Sequence, residues 1–315
     1  MRGIYTLTEE EKQVFSAFER ISVETAEVFA PYHDTNVVGD TSFSLLYVWQ
    51  GQFHYAYRMI KGHLVVLEKG VDNRLSCILL RKKEEDISDV IETLYQMFHK
   101  AGLPLYFEYV AEKDLPVYEK AMQAAGMKMQ SISKEEDSDY IYETEAFLSL
   151  EGKENKRKRG DLNNLHRQYE NLSVCMYDGS NAQIRRDCES IFEDWCTSHS
   201  CENCYYGCEK QACFRFFDIY NANYHKIAVA YADGIPLSFA ISERINADTV
   251  CYFFQKNRQR VRGLTYYLNR EMALTDTDIT YINLGEDMGL PGLREDKRSL
   301  HPCEQKKKYF IMVEV

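Results

Sequence analysis

The sequence predicts an α/β fold of the α+β type, with two tandem domains that each contain a mixed central sheet flanked by helices. Two observations support this prediction. The order strand meander, helix, strand, helix, strand is found twice along the chain. A chain of 315 residues that is 45% hydrophobic is also long enough to bury two cores. The predicted domains are residues 1–145 and 146–315.

The first half opens with the capping-box pattern Thr8-Glu9-Glu10-Glu11, which predicts a helix as far as about Arg20. A short buried helix is predicted at SFSLLYVWQ. Alternating apolar residues predict a hairpin of HYAYRMIKG and HLVVLEKG around Lys61-Gly62, followed by a third strand at LSCILLRK. Helices over 86–102 and about 114–125, each ended by a glycine, alternate with the strands LPLYFEYV and MKMQSIS.

The second half repeats this order. A helix over about 153–170 precedes the strand LSVCMYDG, and helices are predicted near 181–198 and 209–223. Three strands follow at HKIAVAYADG, IPLSFAISERI and DTVCYFFQKN, with a hairpin turn at Asp233-Gly234. A helix from Gly263, the strand ITYINLGE, a short helix and the closing strand KKYFIMVEV complete the domain. This order matches the acyl-CoA N-acyltransferase (GNAT) fold, used twice.

The overall composition excludes several classes of protein. A net charge of -11 argues against a protein that coats nucleic acid, although one local basic groove remains compatible with it. No apolar run approaches the roughly 18 residues of a membrane span, and the N-terminus has no apolar signal core, so a cytoplasmic protein is expected. Gly-x-Ser-x-Gly, Walker and His-Glu-x-x-His motifs are absent from the sequence, which leaves a hydrolase or NTPase without support.

Four long segments of the chain carry a family resemblance. They are DYIYETEAFLSLEGKENKRKRGDLNNL, YFFQKNRQRVRGLTYYLNREMA, YINLGEDMGLPGLREDKRSLHP and KKKYF. Together they resemble the C-terminal domain of bacterial phosphatidylglycerol lysyltransferases, and more closely the stand-alone relatives of that domain. The resemblance implies a tandem GNAT-like fold and aminoacyl-tRNA, rather than acyl-CoA, as the donor. It does not fix the acceptor, which is a small molecule or a lipid.

The segment from Arg258 to Leu264 occupies the place of the GNAT turn that binds the pyrophosphate of coenzyme A at a helix N-terminus. Val261 replaces the first glycine of that turn, and its Cβ blocks the close approach of an anion, so coenzyme A is not expected as a cofactor. Gly263 is retained and Arg262 lies beside it. The turn is therefore either a degenerate cradle for another polyanion, such as a tRNA 3′ end, or a solvated turn.

A basic segment lies at the start of the helix predicted over about 153–170. It contains Lys156 and Arg157 within the run KENKRKRG, and such a run can contact the phosphates of an RNA acceptor stem. The alternative is a solvated start of a helix, which charge runs usually are. Lys156, Arg157, Arg262 and Gly263 are the predicted donor-binding residues.

Five cysteines cluster between residues 196 and 213. Cys201-x-x-Cys204, with Cys208 nearby, supplies enough thiolates for zinc or an iron–sulfur cluster. A structural metal site usually pairs two such units or adds a well-spaced histidine, and His199 is the one candidate here. Reduced thiols without a metal are therefore the expectation.

Charged residues follow the strand YINL, where Glu286 and Asp287 precede Arg294 and Lys297, which share one helical face. Aminoacyl transfer needs a group that takes a proton from the nucleophile and groups that stabilise an oxyanion. We therefore predict Glu286 and Asp287 as catalytic residues. Arg294, Lys297 and, from KKKYF, Lys308 and Tyr309 are the predicted substrate-binding residues. The alternative is a structural cluster of ion pairs.

The sequence thus predicts an aminoacyl- or acyltransferase with its site in the C-terminal domain. The competing hypothesis is a GNAT-like module without catalytic activity that binds a small polar ligand or a nucleic acid.

Overall fold

A computed structural model describes residues 6–35, 38–70, 72–82, 85–198 and 208–314. The chain forms two compact units. Within the described residues, unit 1 contains 6–139, 208–215 and 306–314, and unit 2 contains 140–198 and 216–305. The predicted division between residues 145 and 146 differs from these units in two ways. The change of unit comes after Asp139, and the C-terminal segment belongs to unit 1.

Unit 1 is built on a mixed sheet in which β4 (Leu75–Leu80) and β5 (Tyr106–Ala111) are parallel and the other neighbouring strands are antiparallel. Lys61 and Gly62 both have positive φ, 52° and 85°, as a two-residue type I′ turn requires. The predicted first hairpin is therefore confirmed. In spatial order the strands are β1 (Glu19–Arg20), β2 (Ala56–Ile60), β3 (His63–Lys69), β4 (Leu75–Leu80), β5 (Tyr106–Ala111), β14 (Lys308–Glu314) and β6 (Lys128–Ile132).

Helices of unit 1 bury apolar side chains that match the predicted periodicity. They are α1 (Glu9–Phe15), α2 (Ala26–Phe29), α3 (Phe43–Phe53), α4 (Ser88–Lys100), α5 (Leu115–Ala124) and α9 (Glu209–Arg215). The capping box at Thr8 and Glu11 is present, but α1 ends at Phe15 because β1 begins only four residues later. In α4 the buried stripe of Val90, Leu94 and Phe98 joins a core that includes strand residues of the sheet.

Unit 2 repeats the architecture, and it too contains a parallel pair of strands, β11 (Thr249–Asn257) and β12 (Tyr281–Asn283). Asp233 and Gly234 have φ of 51° and 79°, which confirms the second predicted hairpin turn. In spatial order the strands are β13 (Glu304–Lys306), β7 (Asp139–Glu143), β12 (Tyr281–Asn283), β11 (Thr249–Asn257), β10 (Ile235–Arg244), β9 (His225–Ala232) and β8 (Leu172–Met176). The helices are α6 (Thr144–Ser149), α7 (Lys156–Gln168), α8 (Ala182–Ser198), α10 (Leu264–Ala273) and α11 (Pro291–Arg298).

Two strands lie in a different sheet from the one that chain order suggests. The closing strand β14 pairs with β5 and β6 in unit 1, whereas the sequence predicted it as the last strand of the second domain. β7, which was not predicted as a strand, pairs with β12 in unit 2. Alternation of apolar residues identifies a strand but does not identify the sheet edge that accepts it.

The two mixed sheets with flanking helices confirm the predicted fold class. Separate cores lie in the two units: one around Leu94, Phe98 and Phe107 in unit 1, and another around Tyr142, Tyr252 and Leu268 in unit 2. Among the described residues, no helix combines the length and apolar content needed to cross a membrane.

Candidate functional site

The loop that follows β12 leaves the sheet of unit 2 beside the parallel strand β11, which itself continues to Asn257. Cys251 and Asn283 are the last aligned pair, and the chain then leaves the sheet. Residues 284–290 form this loop, here called the acidic loop. The Asn283 side-chain oxygen accepts a hydrogen bond from the Gly285 N–H at 2.6 Å. Backbone bonds of 3.1 Å join Leu284 and Gly285 to Tyr140 of β7. The loop therefore has a fixed starting geometry.

Asp287 is the most heavily bonded residue of the acidic loop, and its side chain is fully buried. One oxygen accepts from Arg294 Nε and from the Tyr140 hydroxyl, both at 2.7 Å. The other accepts from Arg294 Nη2 and from the Gly289 N–H, both at 2.9 Å. The hydrogen bonds from Arg294 are the largest cause of a pKa lowered to about 2 for Asp287. Asp287 is thus a fixed carboxylate and a weak base.

Lys297 holds the backbone of the same loop. Its Nζ donates to the carbonyl oxygen of Leu284 at 2.7 Å and also to that of Glu286. The backbone carbonyl of Lys297 accepts from the buried hydroxyl of Tyr142 at 2.8 Å. Lys297 is 8% exposed, so its charge is directed mainly at these carbonyls. Glu286 is half-buried at the turn of the loop.

The structure brings four predicted site residues together and places two elsewhere. Glu286, Asp287, Arg294 and Lys297 all belong to the acidic loop or to α11, which follows it. Lys308 and Tyr309 lie on β14 in unit 1, where Lys308 contacts the carboxylates of Asp40 and Asp139 at 2.7 and 3.0 Å. The Tyr309 hydroxyl donates to Glu112 at 3.0 Å.

The turn before α10 combines structural and exposed residues. Gly263 is the N-cap of α10 with φ of 82°, and a Cβ there would lie 3.0 Å from the carbonyl oxygen of Asp161 in α7. Glycine is therefore required both by the backbone conformation and by the close contact between the two helices. Val261 packs against the core of unit 2. Arg258 is bound to the Pro236 carbonyl, Ser190 and Asp194, at 2.7–2.9 Å.

The basic segment likewise contains both residues with structural contacts and exposed residues. Lys158 is buried and pairs with Asp296 of α11 at 3.0 Å. Arg159 donates to the carbonyl oxygens of Leu150 and Gly152, which stabilises the end of α6. Lys156 and Arg157 are exposed. Lys158 and Arg159 therefore stabilise the fold, whereas Lys156 and Arg157 are exposed on the surface of unit 2.

Two contacts connect these elements within unit 2. The Gly263–Asp161 contact brings the start of α10 against α7, and the Lys158–Asp296 pair brings the start of α7 against α11. The predicted donor-binding residues and the acidic loop consequently belong to neighbouring elements. Five exposed cations lie on the starts of α7 and α10 and form no ion pair with any described residue. These five, the basic surface, are Lys153, Lys156, Arg157, Arg260 and Arg262.

The predicted metal motif at Cys201 and Cys204, with His199, lies outside the described residues. Of its neighbours, Cys213 is buried, Cys208 is exposed and Cys196 is intermediate. The described part of the chain contains no group of three or more His, Cys, Asp or Glu side chains placed to hold a metal ion.

Tyr140 is a site residue that sequence reasoning did not identify. It is fully buried, its hydroxyl donates to Asp287, and its ring lies 5.8 Å from Lys297 Nζ. Asp287 and Tyr140 are far apart in the sequence, and no local pattern predicts such a contact. The one available signal was the aromatic alternation in DYIYE, which is typical of a buried strand.

Comparison with known proteins agrees with this architecture. The model of the family described as phosphatidylglycerol lysyltransferase, C-terminal, matches residues 34–312. A conserved protein of unknown function from Bacteroides thetaiotaomicron superposes with a TM-score of 0.84 at 21% identity, covering 94% of this chain and 99% of that one. L-PGS from Bacillus licheniformis superposes with a TM-score of 0.68 at 14% identity, covering 94% and 93%.

A C-terminal DUF2156 domain from Agrobacterium fabrum gives a TM-score of 0.69 at 15% identity, with 92% of each chain covered. No curated protein sequence matches this chain. The structural neighbours show the fold, and the family match spans nearly the whole sequence, which confirms the resemblance noted above. The chain belongs to the phosphatidylglycerol lysyltransferase C-terminal family.

Proposed function

We propose that this protein is an aminoacyltransferase that takes its aminoacyl group from aminoacyl-tRNA and transfers it to an amine or hydroxyl of a small-molecule or lipid acceptor. Membership of the family supports the class of reaction. The observation that carries the choice of donor is the basic surface. Because aminoacyl-tRNA is a cytoplasmic substrate, the proposal places the reaction in the cytoplasm.

The basic surface suits a phosphate backbone for two reasons. The chain has a net charge of -11, so five cations without acidic partners among the described residues are a local exception. They also lie at the starts of α7 and α10, where the helix dipoles add positive potential. Phosphates bound at such a surface would contribute affinity that is independent of sequence and falls steeply with salt.

In this proposal Glu286 takes the proton from the attacking nucleophile. The nucleophile forms a bond to the ester carbonyl carbon, the ester C–O bond breaks, and the ribose oxygen of the tRNA leaves with the electron pair of that bond and takes up the proton held by Glu286. Asp287 is a weak base, and we assign it to holding the acidic loop in place together with Lys297. Arg294 is 29% exposed, which leaves part of its side chain accessible to an anionic group of the substrate.

The contacts of Lys308 and Tyr309 support a role in holding β14 within unit 1, and the proposed site does not use them.

We also propose that the reaction uses neither coenzyme A nor a metal ion. Val261, which packs against the core of unit 2, occupies the position where the coenzyme A turn has a glycine. Calorimetric titration with acetyl-CoA checks this point, and micromolar or tighter binding would contradict it.

The test of the donor is tRNA binding by fluorescence anisotropy at several salt concentrations. The variant Arg157→Ala/Arg262→Ala should weaken binding at least tenfold at low salt and make the slope of log K against log salt shallower by about 1–2, as two phosphate contacts are lost. The control variant Lys100→Ala/Lys113→Ala removes two exposed cations from unit 1 and should bind like the parent protein. Equal loss in both variants would contradict a specific basic surface.

One observation favours the alternative, a binding module without catalytic activity. The charged groups of Asp287, Arg294 and Lys297 form hydrogen bonds that hold the acidic loop in place, which is a structural role. Incubation with radiolabelled aminoacyl-tRNA and a phosphatidylglycerol vesicle separates the two functions. The transferase should release the label from tRNA, and Glu286→Gln should slow this release while tRNA binding is unchanged. Tight binding with no release from either protein supports the module.

A further inference from the structure

A groove of about 220 Å³ lies between β2 and α4 of unit 1. β2 is paired with β1 only as far as Tyr57, and the groove begins just beyond the end of that pairing. The volume is below the range of pockets that hold drug-sized ligands, so the groove suits a smaller molecule. Its lining residues are Arg58, Met59, Ile60 and Lys61, from β2 and the turn that follows, and Thr93 and Met97 from α4.

Arg58 and Ile60 point to the face of the sheet that α4 covers. Arg58 is paired with Val65 of β3, and both Val65 and Ile60 belong to the core that α4 joins. Residues two apart in a strand share a face, so Arg58 and Ile60 lie on the same side of the sheet. Thr93 and Met97 are four residues apart and lie on one side of α4. The strand and the helix therefore form two facing walls of the groove.

The inner part of the groove is apolar. Ile60 is buried, and Met97 is half-buried and packs against the same core. The hydroxyl of Thr93 donates to the carbonyl oxygen of Asp89 at 2.7 Å, so its hydrogen bond is made within α4. An apolar group that covers these side chains would remove hydrocarbon surface from water, which is favourable.

The mouth of the groove is basic. Arg58 and Lys61 are both exposed, and neither forms an ion pair with any residue that the structure describes. None of the six lining residues is acidic. Lys61 is held in the hairpin turn by its positive φ of 52°, which fixes the position of its backbone relative to Arg58. The planar fork of an arginine matches a carboxylate, and a lysine beside it adds a second positive charge.

From this arrangement we propose that the groove binds a small amphiphilic carboxylate, with its carboxylate group on Arg58 and Lys61 and its apolar body against Ile60 and Met97. The two cations select the charge of the head group, and the apolar lining selects a ligand that carries a hydrocarbon chain or ring. The inference does not depend on the proposed transferase activity, since all of the lining residues lie in unit 1.

Isothermal titration of the full chain at pH 7 tests the proposal with hexanoate, acetate and hexylammonium as probes. Hexanoate should bind at least tenfold more tightly than acetate, which lacks the chain, and than hexylammonium, which carries the opposite charge. The variant Arg58→Gln/Lys61→Asn removes both cations and should weaken hexanoate binding at least tenfold, while Asn-Gly keeps the type I′ turn. The matched control Lys113→Gln/Lys128→Gln removes two exposed cations of unit 1 outside the groove and should bind like the parent protein.

A second variant tests the groove without a change of charge. Thr93→Phe fills the space between the two walls and should abolish hexanoate binding. Gln96→Phe is its control, since Gln96 is an exposed residue of α4 that does not line the groove, and binding should be unchanged. If Arg58→Gln/Lys61→Asn does not fold, Thr93→Phe alone decides.

Absence of hexanoate binding by the parent protein would overturn the proposal, and so would equal affinity for hexanoate and acetate. Unchanged hexanoate affinity together with a loss of tRNA binding in Arg58→Gln/Lys61→Asn would also overturn it, because the two cations would then belong to a surface for nucleic acid. The variant Arg157→Ala/Arg262→Ala should bind hexanoate normally even where it has lost tRNA binding. A loss of both in that variant would contradict a separate site in unit 1.

Discussion

The guanidinium of Arg294 donates two hydrogen bonds to the carboxylate of Asp287, through Nε at 2.7 Å and Nη2 at 2.9 Å, and the carboxylate is completely buried. This side-by-side geometry is the strongest arrangement available to an arginine and a carboxylate. It fixes the acidic loop to α11, the helix that follows. Substitutions in this pair should therefore change the free energy of unfolding, and this effect can be measured separately from substrate binding.

Replacement of Arg294 by alanine should lower the free energy of unfolding by about 3 kcal/mol, because it leaves Asp287 as a buried charge without its partner. Urea denaturation at pH 7 measures this loss. Arg167→Ala is the control, since Arg167 is an exposed residue of α7, and it should change stability by less than about 0.5 kcal/mol. If Arg294→Ala instead retains full stability and loses substrate binding, the pair is not structural.

The stabilisation by Asp287 should depend on pH in the acid range. Its pKa is lowered from the usual 3.8 to about 2, so its contribution is complete above about pH 4 and is lost as the pH falls through 2. The difference corresponds to about 2 kcal/mol. The gap in unfolding free energy between the parent protein and Asp287→Asn should therefore narrow between pH 4 and pH 2. A gap that stays constant over this interval would show that the carboxylate does not titrate as proposed.

The sequence identifies the acidic loop and the basic segment as groups of residues, because both are continuous in the chain. It does not separate Lys158 and Arg159, which are structural, from Lys156 and Arg157, which are exposed. That distinction depends on distant partners such as Asp296. For the same reason the sequence identifies β14 as a strand and assigns it to the wrong sheet. Local periodicity specifies which face of an element is buried, whereas pairing across the sheet is a long-range property.

Gly263 provides a third test, because its role in the contact between α7 and α10 is steric. Gly263→Ala should lower the free energy of unfolding by about 1–3 kcal/mol, through the positive φ of 82° and the 3.0 Å approach of the new Cβ to Asp161. Gly160→Ala is the matched control in α7, where no atom lies within 4 Å of an added Cβ. That change should stabilise the protein by about 0.5–1 kcal/mol. Guanidinium denaturation compares the two, and a stabilising Gly263→Ala would contradict the steric argument.

Glu108 provides the last test, with a pH dependence opposite to that of Asp287. Burial raises its pKa in the folded protein to about 7, above the ordinary 4.5, so folding takes up a proton between these values. The contribution of Glu108 to stability therefore falls as the pH rises from about 4.5 to 7 and is constant above 7.

Glutamine at this position does not titrate, so Glu108→Gln should gain stability relative to the parent protein between pH 4.5 and pH 8. Urea denaturation of both proteins at pH 5 and pH 8 measures this gain, with the exposed substitution Glu92→Gln as the control that should show none. A pH-independent difference between the parent protein and Glu108→Gln would mean that Glu108 is ionised throughout, and that buried acid in unit 1 is already compensated.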